Sequence, residues 1–130
     1  LNRYRDWLQQ AWADLAHAEK SAAMGDHAWA CFAAQQAAEM AVKALHMCLG
    51  QIAWGHSVAA LLAALPEEVR VPPELLEKAR VLDKFYIPTR YPNAHPEGPA
   101  FQHYTEGEAR QAIAHAREVL EFCERKGVEA

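Results

Sequence analysis

Between Gly25 and Gly50 the sequence runs uninterrupted by proline or glycine, and its apolar residues recur at three- and four-residue steps. Cys31, Ala34, Ala38, Ala41, Val42, Leu45 and Leu49 fall on one stripe, which predicts a helix over residues 27–49. Asp26 is placed to cap its start, and Gly50 to end it. Glu39 and Lys43 stand four apart in the favourable order and read as an exposed salt pair on this helix, with a role in a site as the alternative. A helix this long needs partners of similar length, and the flanking sequence supplies them.

Residues 3–23 repeat the pattern through Trp7, Leu8, Ala11, Trp12, Leu15, Ala18 and Ala22, so the first two helices should form an antiparallel hairpin across Gly25. Ser57 is the expected N-cap of a short helix over 58–65, closed by Pro66. Pro72 and Pro73 open another over 74–84, because proline suits the first helical turn. Thr105 and Glu108 have the spacing of a capping box that starts a last helix reaching about residue 126. Ala109, Ala112, Ile113, Ala116, Val119, Leu120 and Cys123 make its inner stripe, with Glu121 and Arg125 as an exposed pair. No segment alternates at period two. The expected fold is all-α, one domain over residues 1–130, with three long helices and two short ones in an up-and-down bundle.

Residues 85–105 break this regularity. They hold four of the seven prolines, two of the seven histidines and three of the four tyrosines. Proline fixes its own φ and moves the preceding residue away from the α region, so no long helix is expected here. Long connections in compact domains tend to be functional or disordered. Phe85, Tyr86, Tyr91, Phe101 and Tyr104 should pin this one to the bundle. Arg90, His95 and His103 are the polar groups it offers, and any site is expected here.

Composition narrows the remaining possibilities. A net charge of −4 argues against a protein that coats nucleic acid electrostatically, while leaving room for a local basic site. Cys31, Cys48 and Cys123 are odd in number and lie in helical patterns, as expected of free thiols in a reducing compartment. The chain lacks a signal-like start and any apolar run near 18 residues, so a cytoplasmic protein off the membrane is expected. His17, His27, His46, His56 and His115 are scattered without a ligand-like pair, so neither a metal nor another cofactor is expected. Ser57 beside His56 is read as a cap only.

Two stretches carry a family resemblance. Phe32-Ala33-Ala34-Gln35-Gln36-Ala37-Ala38-Glu39-Met40-Ala41-Val42-Lys43-Ala44-Leu45 resembles the signature second helix of HEPN domains (higher eukaryote and prokaryote nucleotide-binding). Tyr86-Ile87-Pro88-Thr89-Arg90-Tyr91-Pro92, leading through Tyr104-Thr105 into the last helix, is similar to the stand-alone prokaryotic members. The resemblance implies a bundle that often forms homodimers and is often paired with a minimal nucleotidyltransferase in a toxin–antitoxin-like system. In many members of that family an Arg-x(4–6)-His motif performs metal-independent RNA cleavage at a dimer cleft. Arg90 and His95 have that spacing and are the catalytic candidates. A histidine can move the 2′-hydroxyl proton, and an arginine can steady the phosphorane charge. Arg90, Tyr91, Tyr86 and His103 are the candidates for holding a nucleotide or RNA ligand. Tyr91 stands where the cleaving members carry a polar residue, and Pro92 and Pro96 keep the motif out of a helix. Open alternatives are an Arg90 paired with Asp83 or bracing the loop, a solvated His95, tyrosines that only pack, and a helical partner protein without catalysis.

Overall fold

The computed structural model describes residues 2–130, and among them the only regular secondary structure is helical. Five helices follow in order: α1 Tyr4–Ala23, α2 His27–Cys48, α3 Val58–Ala63, α4 Pro73–Asp83 and α5 Glu106–Glu129. Single 3-10 turns occupy Glu67–Val69, Pro92–Ala94 and Ala100–His103. The long helices α1, α2 and α5 form the body, with α1 antiparallel to the other two, since Cys48 at the end of α2 meets Gly127 at the end of α5 while Glu19 late in α1 pairs with Arg117. Helices α3 and α4 close the remaining side against α2 and α5.

Helix α2 is the central member. The expected stripe is buried except for the half-buried Leu49 at its end, but so are Ala30, Ala33, Ala37 and Ala44 beside it, because helices approach from several sides. Alanine permits that close approach, while Leu15, Val42, Leu62, Leu82, Val119 and Leu120 fill the layers between. The hairpin turn expected at Gly25 is present. Its φ is +84°, and the Asp26 amide donates to the Ser21 carbonyl at 2.8 Å, satisfying the end of α1. Asp26 holds the N-cap position of α2, but its side chain caps no amide.

The other end of α2 is pinned by a side chain. His46 is buried, with Nε2 donating to the Leu61 carbonyl at 2.8 Å and Nδ1 facing the Gln51 side-chain amide at 2.9 Å. It ties α2 to α3. The capping box of Thr105 and Glu108 forms as expected, and α5 continues to Glu129. Glu121 and Arg125 do not pair; Arg125 lies over the Phe122 ring instead. The surface ion pairs that α5 makes with other helices, Lys78 with Glu118 and Arg117 with Glu19, tie it to α4 and α1.

All three cysteines are free. Burial pushes the Cys31 thiol up to about 12, with the Glu108 charge adding to it, and burial pushes Cys123 up as well. Neither forms a thiolate near neutral pH, so both behave as small apolar core residues. No described helix is long and apolar enough to cross a membrane.

Candidate functional site: the face shared by α2 and the proline-rich loop

Phe32, Gln36, Glu39 and Lys43 succeed one another at three- and four-residue steps along α2, with Gln35 beside Gln36, which places them on one face. The residues that meet this face are His56 and Ser57 ahead of α3, Asp83 at the end of α4, and Tyr86 and Arg90 in the loop. The cluster is polar at its centre and aromatic at its edge.

Glu39 is its hub. Its side chain is only 4% exposed, and its carboxylate receives Lys43 Nζ at 3.0 Å, His56 Nδ1 at 3.2 Å and Gln36 Nε2 at 3.3 Å. The pair expected at the surface is therefore buried, with the Lys43 side chain itself 15% exposed. A carboxylate taken out of water needs such partners, since an unpaired buried charge is costly. Gln35 extends the network, its Nε2 donating to the His56 carbonyl at 2.7 Å and its Oε1 accepting from Gln36 at 2.8 Å.

Asp83 does a separate job. It accepts from Ser57 Oγ at 2.8 Å and from the Val58 and Ala59 amides at 2.7 and 3.1 Å, while Ser57 Oγ accepts from the Ala60 amide at 3.0 Å. The first turn of α3 is thus capped twice, once locally and once from α4. Because Asp83 is engaged there, it is not the partner of Arg90.

Arg90 instead folds back on its own loop. Its Nε and Nη2 donate to the Tyr86 carbonyl at 2.9 and 2.6 Å. The guanidinium carbon lies 4.2 Å from the Phe32 ring centre, 4.8 Å from Tyr86 and 5.2 Å from Tyr91. Three aromatic rings and a carbonyl fix a cation in place, and Nη1 makes no hydrogen bond among the described residues. His56 lies on the Tyr86 ring as well, centroids 4.7 Å apart and planes 16° from parallel.

The candidate histidines of the loop sit together and apart from this cation. His95 and His103 stack face to face, centroids 4.2 Å apart, and the Tyr104 ring meets His95 edge-on. His95 Nε2 donates to the Pro88 carbonyl at 2.7 Å and His103 Nε2 to the Glu97 carbonyl at 2.6 Å. A carbonyl only accepts, so Nε2 carries the proton in both rings. No hydrogen bond or ring contact joins His95 to Arg90 among the described residues. The loop is braced at both ends, with Phe85 buried against Tyr104 and Thr89 Oγ1 donating to the Phe85 carbonyl at 2.7 Å.

The Phe32 ring links this face to a cleft of about 260 Å³ lined by Asp14, His17, Trp29, Phe32, Ala33 and Gln36. Trp29 meets Phe32 edge-on, centroids 5.9 Å apart, and is half exposed. Among the described residues no three side chains of the metal-binding types come together.

The helix and loop that build this face are the two stretches carrying the family resemblance, and the HEPN domain model matches residues 4–126. The chain belongs to the HEPN domain family. Solved structures place it more closely. TT1696 from Thermus thermophilus is 61% identical, with a TM-score of 0.95 over 97% of this chain and 99% of that one. The archaeal HEPN homologue ST0689 is 36% identical, with a TM-score of 0.80 over 98% and 99% of the two chains. The HEPN domain protein tm0613 from Thermotoga maritima is also 36% identical, with a TM-score of 0.76 over 92% and 95%. No curated protein matches the chain.

Sequence reasoning gave Phe32, Gln36 and His56 no site role, and gave Glu39 and Lys43 one only as the alternative to an exposed pair. One signal was available for Phe32, Gln36, Glu39 and Lys43. On an alanine-rich helix that should be buried, polar residues at i, i+3 and i+7 with an aromatic one turn before them require partners supplied by another segment. Nothing in the sequence says that the segment contains His56.

Proposed function

We propose that this HEPN domain is a nucleotide- or RNA-binding module, acting as a homodimer alongside a minimal nucleotidyltransferase. The observation that carries the binding reading is the Arg90 guanidinium, held over Phe32, Tyr86 and Tyr91 with Nη1 unpaired. A planar cation with one edge free suits a phosphate oxygen, and the neighbouring half-exposed Trp29 and Tyr91 offer surfaces on which a base can stack. The dimer and the partner are carried over from what the family resemblance implies. Trp54 and Ile52, more than four-fifths exposed beside the end of α2, are apolar groups that an association would cover.

Metal-independent RNA cleavage by Arg90 and His95 is a second reading. It draws on His95 keeping Nδ1 free to take a proton while Nε2 is fixed on the Pro88 carbonyl. One calorimetric titration in EDTA addresses both. Saturable binding of ATP or short RNA with the RNA recovered intact supports the binding module, and RNA recovered cut supports the nuclease. No heat from any nucleotide or RNA would remove the proposed function.

A further inference from the structure

His56 has no part in the reading above, yet its setting is unlike that of the other exposed histidines. Its side chain is 58% exposed, but Nδ1 is anchored on the buried Glu39 carboxylate at 3.2 Å and the ring plane is held against Tyr86. A carboxylate can only accept, so Nδ1 carries a proton and Nε2 is left facing outward. In the neutral ring Nε2 presents a lone pair, which repels a phosphate oxygen. In the protonated ring it presents an N–H, and the bond to phosphate becomes charge-assisted.

We propose that His56 is a second phosphate contact of the site, made only when its ring is protonated, and that its ligand is the phosphodiester backbone of RNA. This rests on the reading of the Arg90 surface as a nucleotide-binding site. Arg90 and His56 each lie within 5 Å of the Tyr86 ring centre, so two phosphates of one strand can meet both. Each element packed here contributes to the field at His56. Helix α2 brings Glu39 and, through it, Lys43; Asp83 at the end of α4 reaches the neighbouring Ser57; the loop brings Tyr86 and Arg90. A bound phosphodiester adds negative charge and favours the protonated form, so RNA binding and protonation of His56 reinforce each other.

The test is a titration with a short RNA bearing hydroxyl groups at both ends. A phosphodiester keeps its single charge across the range where histidine titrates, roughly pH 5 to 8. A terminal phosphate would change charge near pH 6 and blur the result. Affinity of the wild type should fall about tenfold from the acid to the alkaline end of that range, the size expected for one charge-assisted hydrogen bond. His56→Gln, which is polar but does not titrate there, should bind with a flat profile close to the wild type's alkaline affinity. A wild-type profile that is already flat, or a His56→Gln slope equal to the wild type's, overturns the inference while leaving the binding module intact. Failure of the wild type to bind RNA at any pH overturns both.

Discussion

Replacing Glu39 by alanine is expected to lower the melting temperature by roughly 10 °C, a loss of about 2–4 kcal/mol. The carboxylate is nearly inaccessible and answers three donors, from Lys43, His56 and Gln36. Removing it strands the Lys43 ammonium against α2 with little water to replace its counter-charge, and breaking a buried pair from one side costs far more than the pair contributes intact. The double variant Glu39→Ala/Lys43→Ala should therefore recover part of the loss, which thermal melts followed by far-ultraviolet circular dichroism would show. A single variant that melts within a few degrees of the wild type would mean that the cluster is far better hydrated than its burial implies.

Arg90→Ala is expected to weaken nucleotide or RNA binding by at least about tenfold, the value of one charge-assisted contact. It also removes the two donors on the Tyr86 carbonyl and the plate lying between Phe32, Tyr86 and Tyr91. Arg90→Lys should restore little. An ammonium has no plane to stack and no fork to hold the carbonyl while offering a further N–H outward. Calorimetry on the three proteins distinguishes the cases. Wild-type affinity in the alanine variant would dismiss Arg90 as a ligand contact, and full recovery by lysine would reduce it to a point charge.

The bundle was legible because its signals are local. Gly25, Ser57, Pro73 and the Thr105 and Glu108 capping box sit where helices turn or start, and the stripes between them have one period. The interior of α2 was only partly legible. A stripe says that one face is buried, whereas the number of neighbours decides how much of the remainder is, and this is why Glu39 proved buried and Lys43 largely covered. At the candidate site, spacing located the loop and its cation. Contacts were beyond its reach: that Arg90 turns back to Tyr86, that His95 pairs with His103, and that Asp83 is engaged with α3 all depend on how the chain folds back on itself. His56 was least visible, since a histidine before a serine cap has no local mark that sets it against a carboxylate 17 residues earlier.

The claim that joins these observations is that ligand binds on the face shared by α2 and the loop. Titrating short RNA into isotopically labelled protein and following each backbone amide by NMR tests it most directly. The predicted result is that the amides of Phe32, Gln36, Lys43, His56, Tyr86, Ile87, Thr89, Arg90 and Tyr91 move together and saturate at one affinity, with the far face of α1 and α5 unmoved. Shifts confined to that far face, or none at saturating RNA, would contradict it.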